Sequence, residues 1–182
     1  MRTLAITQNT TLDGRIEMLG DWFDPTAERP DLNAEVLRQS EAEDVLLVGR
    51  RTFEDLRSFW PGHAAEDTTG VAAHLDRVHK AVVSSTLTDP GWENSSVLGA
   101  DWRERVADLK AEDGGDVVVT GSVSLCPALL EAGLVDEVRL FTYPVVQGRG
   151  RKLFPNDFVA TLEHRATATF EAGVVLTTYA LR

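Results

Sequence analysis

The sequence predicts a single α/β domain whose sheet is mixed but mostly parallel, with an antiparallel hairpin at its C-terminal end. Two observations predict it. Short apolar runs without polar alternation recur at Leu4 to Thr7, Val45 to Val48, Ala81 to Val83, Val117 to Val119 and Val138 to Val146. Strands covered by helices on both faces carry such runs, because no face of the sheet meets water. Between the runs lie segments with helical periodicity, and after the last of them the pattern changes to that of a hairpin.

The elements follow in order. Leu4 to Thr7 opens the chain as a strand. Asp31 to Glu43 places Leu32, Val36 and Leu37 among charged residues, an amphipathic helix that leads into the Val45 strand. Asp101 with Glu104 three residues on forms a capping-box pattern, and Gly114-Gly115 marks the exit of that helix. Leu125, Leu129 and Leu130 make the stripe of a further helix that Gly133 ends, and Pro127 falls in its first turn, where a missing N–H matters little. Ala166 to Phe170, the turn Glu171-Ala172-Gly173 and Val174 to Leu181 read as the hairpin. Asp21 to Pro30 and Pro61 to Gly70 carry the least regular pattern.

Composition narrows the function. At 182 residues and a formal charge of −11, the chain suits one domain, residues 1–182, and not a nucleic-acid coat or a basic membrane clamp. The single cysteine, Cys126, closes no internal disulfide and seeds no metal site, which fits a reducing, cytoplasmic setting. Cys126 sits on an apolar helix face as a small hydrophobe. The N-terminus turns polar within a few residues, unlike a signal peptide, and no apolar run is long enough to span a bilayer. His63, His74, His79 and His164 lack metal-ligand spacing and read as surface residues.

Ligands of open α/β sheets bind beyond the carboxyl ends of strands, so the strand exits hold the candidate site. Three exits carry phosphate-binding chemistry. After Val48 come Gly49, Arg50, Arg51 and Thr52: the glycine permits close backbone approach, the arginines reverse the local sign of an acidic protein, and Thr52 can cap the next helix. After Val83 come the hydroxyls of Ser84, Ser85 and Thr86. After Val119 come Thr120, Gly121, Ser122, Val123 and Ser124, leading into a helix whose free N–H groups and dipole suit a pyrophosphate. A GxGxxG fingerprint is absent, because Val123 stands where its second glycine belongs. Arg149, Arg151 and Lys152 gather three cations after the Val138 strand, either a solvated loop or a substrate-phosphate contact.

Taken in order, Thr11-Leu12-Asp13-Gly14, Leu47 to Glu54, Phe59-Trp60-Pro61, Val82 to Leu87, Val118 to Ser122, Leu129 to Glu137 and Pro144 to Gly150 resemble the dihydrofolate reductase-like superfamily. The closest branch is that of the C-terminal reductase domain of bifunctional riboflavin biosynthesis enzymes. The resemblance implies a three-layer α/β/α fold with about eight strands, NADPH as cofactor, and hydride transfer to a small heterocyclic or ribosylamino-pyrimidine substrate, as in 5-amino-6-(5-phosphoribosylamino)uracil reductases. It assigns Gly49, Arg50 and Thr52 to the adenosine-phosphate and pyrophosphate contacts, with Arg50, Ser84 and Ser85 facing the 2′-phosphate. Gly121, Ser122, Val123 and Ser124 take the loop from pyrophosphate to nicotinamide. Asp13-Gly14 is the segment that closes over the substrate, with Asp13 as candidate proton donor.

Two departures stand out. Thr120 occupies the place where riboflavin-pathway reductases usually carry a substrate-side glutamate, and the zinc-dependent deaminase domain of those enzymes is missing. Asp31 and Glu35 both lie near the position of the acidic residue that folate reductases use. Two other functions stay open: a non-catalytic nucleotide- or pterin-binding module on the same fold, and a structural homodimer subunit using Leu134-Val135 and the strand around Phe141 to Tyr143.

Overall fold

The computed structural model describes residues 1–182. Its elements are β1 (Leu4–Thr11), α1 (Pro30–Glu41), β2 (Glu43–Gly49), α2 (Arg50–His63), α3 (Val71–Arg77), β3 (His79–Val83), β4 (Ser95–Leu98), α4 (Trp102–Ala111), β5 (Asp116–Thr120), α5 (Leu125–Glu131), β6 (Glu137–Tyr143), β7 (Leu162–Thr169) and β8 (Val175–Leu181). They build one eight-stranded sheet in the order β4-β3-β2-β5-β1-β6-β8-β7. From β4 to β6 all neighbours run parallel, whereas β8 joins β6 antiparallel and β7 joins β8 antiparallel. The expected parallel sheet with a terminal hairpin is therefore present.

The two faces of the sheet differ. On one, Leu4 and Ile6 of β1, Val45 and Leu47 of β2, Val117 and Val119 of β5 and Val138 of β6 pack beneath α4 and α5 in one continuous cluster. On the other, the core is divided. Leu46, Val48 and Val82 pack under Phe53 and Trp60 of α2 and Ala72 and Leu75 of α3. Phe141 and Leu176 pack with Leu32, and Val36 of α1 lies against them. The strip between the two clusters lies over β1 and β5, whose residues on this face include Ala5, Thr7, Asn9, Val118 and Thr120. Small and polar side chains there leave the middle of the sheet uncovered.

Several local expectations need correction. Asp101 stands at the N-cap of α4 but its carboxylate makes no capping hydrogen bond. The segment Pro61 to Gly70, expected to be irregular, begins inside α2, which continues to His63; the proline comes near the end, where only one ladder bond is lost. Helix α3 and strand β4 carry too few residues for a periodic signal, and β7 is longer than its pattern, because an exposed edge strand needs no apolar face. Gly133 (φ 65°) and Gly173 (φ 74°) take the left-handed conformations that end α5 and turn the hairpin.

Cys126 is fully buried, and burial pushes its thiol up to about 12. Thiolate is the reactive form. A thiol reagent should therefore leave the native protein unlabelled at neutral pH and label it stoichiometrically in denaturant; fast native labelling would contradict this packing. No helix is long and apolar enough to cross a membrane. Of the residues considered for a homodimer surface, Val135, Phe141 and Tyr143 are buried within the chain's own core, while Leu134 and Thr142 stay partly exposed.

Candidate functional site

The three strand exits converge. Strands β3, β2 and β5 are adjacent and parallel, with Gly49 in register with Val83, so Ser84, Gly49 and Thr120 leave from one edge of the sheet. Two of the exits are bonded to each other. The Gly49 N–H donates to Ser122 Oγ at 2.8 Å, and the Ser122 N–H donates to Thr52 Oγ1 at 2.8 Å. Thr52 is thus not the cap of α2: the helix begins at Arg50, no side chain caps it, and Thr52 spends its hydroxyl on the neighbouring loop. The leading N–H groups of α2 remain directed at the sheet edge, the arrangement that suits an anion.

Backbone geometry sharpens this corner. Gly121 has φ 63° and Ser122 has φ 40°, consecutive left-handed residues, and Ser122 is buried. A Cβ on Gly121 would stand 2.8 Å from Thr52 Cγ2. Glycine is required here twice over, by conformation and by space. Gly49 is extended (φ −79°), and a Cβ there would meet Ser122 Oγ at 3.7 Å, ordinary contact. Nothing inside the chain demands that glycine.

Sequence reasoning missed Gln8. It is buried at the centre of β1, and its Nε2 donates to the Gly121 carbonyl and to Cys126 Sγ, fixing the loop from below. A glutamine amid a strand buried on both faces was the available signal.

The charges around this edge are engaged but exposed. Arg50 pairs with Glu54 one helical turn on, at 3.0 Å, with 41% of its side chain exposed. Ser84 Oγ accepts the N–H groups of Thr86 and Leu87 and lies 3.5 Å from Thr86 Oγ1; Ser85 is exposed. Arg151, from the cluster after β6, ion-pairs with Glu17 at 2.8 Å and reaches Ser124 Oγ at 3.2 Å. One of those three cations therefore borders the Gly121 to Ser124 loop, while Arg149 and Lys152 are exposed.

Asp13 has a different place from the one expected. Its carboxylate accepts hydrogen bonds from Thr11 Oγ1 at 2.6 Å, from the N–H groups of Gln147 and Gly148 at 3.1 and 2.9 Å, and from Arg15 Nε at 3.3 Å. These bonds, led by that from Thr11, hold it well below the usual carboxylate range. An acid so firmly ionised is a poor proton donor at neutral pH; Asp13 latches the loop after β1 to the loop after β6. Gln147 completes that latch, accepting from Trp22 Nε1 at 2.8 Å and donating to the Glu17 carbonyl at 3.0 Å.

Beside the strand exits, the uncovered strip of the sheet forms a cleft of about 550 Å³ between α1 on one side and α2 and α3 on the other. Thr7, Val118, Thr120 and Phe141 line its floor, and Leu32, Val36, Leu56 and Phe59 its walls. At one end stand Gly121, Thr52 and Tyr143, next to the corner where the strand exits meet. At the other, at the start of β2, stand Glu43 and His74. His74 is not a surface residue: its Nε2 lies 3.0 Å from Glu43 Oε2, and both side chains are 7% exposed. Burial pushes the Glu43 carboxyl above its ordinary value, with His74 opposing the shift. Neither Asp31, whose carboxylate accepts the Leu32 and Glu171 N–H groups, nor Glu35, bonded to Arg38 and Gln39, lines the cleft.

The family model described as the RibD C-terminal domain matches residues 2–176. The chain belongs to that family. It is similar to the uncharacterized protein YyaP of Bacillus subtilis (strain 168), with 31% identity over 98% of this chain and 94% of the relative. Among solved structures it resembles a putative riboflavin biosynthesis protein from Shewanella sp. PV-4 (TM-score 0.77, 22% identity, 99% of both chains). It also resembles a pyrimidine reductase-like protein from Corynebacterium diphtheriae (TM-score 0.69, 15% identity, 100% of this chain and 92% of the other). Against RibD of Acinetobacter baumannii the TM-score is 0.62 at 14% identity, and the chain covers 58% of that longer protein. The sheet and its C-terminal hairpin are thus those of a RibD-like, dihydrofolate reductase-like α/β fold.

Proposed function

We propose that the protein is an NADPH-dependent reductase that transfers hydride to a small planar heterocycle held in the cleft over β1 and β5. One observation carries the reading: the exits of β2, β3 and β5 meet at a single edge, two of them hydrogen-bonded together, and that corner opens onto the end of an aromatic-lined cleft. A dinucleotide and a substrate can lie end to end there. Family membership supports the same chemistry.

The residues suit the cofactor. Uncapped N–H groups at the start of α2, the Gly121 to Ser124 turn and Arg151 face where a pyrophosphate would lie, and Arg50, Ser84 and Ser85 stand where a 2′-phosphate would. The cofactor supplies the hydride when bound. The protein's own task is geometric: Gln8, Thr52 and Ser122 hold Gly121 rigidly at the cleft's end, and Phe23, Phe59 and Tyr143 keep water from the reacting face. Thr120, on the cleft floor in place of the riboflavin-pathway glutamate, argues for a substrate other than that pathway's.

Titration with NADPH and NADH tests the assignment. Wild type should bind NADPH more tightly. Arg50→Ala should weaken NADPH by about 1.5 kcal/mol, roughly tenfold, the low end for a charged hydrogen bond because the side chain is half exposed and already shared with Glu54, and should leave NADH nearly unchanged. Equal losses for both cofactors would remove Arg50 from the phosphate site, and binding of neither would end the reductase reading. Tight NADPH binding with no oxidation across pyrimidine, pterin and folate substrates would select the non-catalytic module instead.

A further inference from the structure

The cleft contains more unsatisfied polarity than any other part of the molecule, and two of its unpartnered atoms stand at its far end, at the start of β2. Four buried side-chain polar atoms find no partner, and three of them, Thr7 Oγ1, Glu43 Oε1 and His74 Nδ1, belong to residues lining this one cavity. Leaving a buried donor or acceptor unmade costs about 1–3 kcal/mol each. Folding does not require these atoms to be idle, so they are best explained as contacts reserved for a ligand.

The chemistry of the ligand follows from the atoms. With the proton of His74 assigned to Nε2, the imidazole donates to Glu43 Oε2, and Nδ1 presents a lone pair. Glu43 Oε1 is a second acceptor. Two acceptors on one wall call for a partner rich in N–H donors. The charge lining the cavity points the same way: Asp24, Glu43 and Asp55 are carboxylates, and the only guanidinium is that of Arg29, which stands over the Tyr143 ring, 5.5 Å from its centroid, toward the opposite end. No lysine lines it. A phosphate at the Glu43 end would face a buried carboxyl, and the one guanidinium near it, that of Arg139, is already held by Asp116 and Glu137, an arrangement that disfavours an anion there.

We propose that the substrate enters with an amino- or amidino-bearing aromatic end, neutral or cationic, whose N–H groups bond to Glu43 and His74, and that phosphorylated substrates are rejected. The proposal rests on the reductase reading for its role in turnover, but the binding preference stands by itself. It also separates this chain from a substrate that carries a phosphoribosyl group.

Three aryl probes of similar size test it: benzamidine, benzamide and phenyl phosphate, each titrated by calorimetry into the wild type and into Glu43→Gln and His74→Gln, with NADPH titrated separately. Benzamidine is expected to bind at least about tenfold more tightly than phenyl phosphate, and Glu43→Gln should lose about tenfold in benzamidine affinity while its NADPH affinity stays at the wild-type value. The probe ranking on the wild type needs no variant to fold. Phenyl phosphate binding as tightly as benzamidine, the failure of all three probes to bind, or unchanged benzamidine affinity in both variants would each overturn the proposal. Loss of NADPH binding with the probe ranking intact would instead overturn the reductase reading and leave the cleft assignment standing.

Discussion

Gly121→Ala should destabilise the protein by about 2–5 kcal/mol and weaken NADPH by at least about tenfold. Two independent terms add. Alanine at φ 63° carries the strain of a left-handed residue, about 1–2 kcal/mol, and its Cβ would press on Thr52 Cγ2 at 2.8 Å, an overpacking of about 1–3 kcal/mol. The backbone can relieve that pressure only by moving Ser122, which would break the bonds to Gly49 and Thr52 that define the corner. Thr52→Ser keeps the hydroxyl and removes the offending methyl. In the double variant the steric term should therefore shrink to the 3.3 Å approach of the retained hydroxyl while the strain term stays, so that part of the stability returns. Denaturant unfolding of the four proteins of this cycle measures it. If Thr52→Ser restores nothing, the clash does not govern the loop.

Phe53→Ala should cost about 3–5 kcal/mol, lowering the thermal midpoint by roughly 10 °C for a chain of this size. Phe53 is fully buried at the centre of the cluster under α2, with the Trp92 ring 5.8 Å away and the Arg57 guanidinium over its face at 5.6 Å. Truncation leaves a cavity between α2 and the sheet that helical packing fills only in part. The effect reaches the site as well, because Phe53 follows Thr52 directly: a helix that settles into the void carries the Thr52 hydroxyl away from the Ser122 N–H. NADPH affinity should fall along with the melting temperature. A loss below about 1 kcal/mol would show that α2 is anchored chiefly by Trp60 and Leu56.

Core strands were legible in the sequence because burial on both faces forces apolar runs, and β2, β3 and β5 show them. The hairpin was legible through Gly173, whose left-handed turn leaves a local signature. Strand exits were legible for a similar reason: Gly49, Ser84 and Gly121 follow their runs immediately, so chain order alone places them at strand ends. Asp13 shows the limit. A carboxylate in a Gly-bearing turn reads the same whether it donates a proton or ties two loops, and only the N–H groups of Gln147 and Gly148, more than a hundred residues away in the chain, decide for the latch.

Local propensity and burial periodicity determined by themselves the alternating architecture, the parallel sheet and the identity of the loops at the strand exits, since each depends on residues close together along the chain. Tertiary structure decided what those loops do to one another. The Gly49, Thr52 and Ser122 linkage, Gln8 beneath Gly121, and the pairing of His74 with Glu43 all join residues distant in sequence. The cleft itself exists because two helix-covered clusters on one face of the sheet fail to meet over β1 and β5. That gap is a property of packing in three dimensions, where whether a polar residue such as His74 is solvated or buried depends on which partner the fold brings to it.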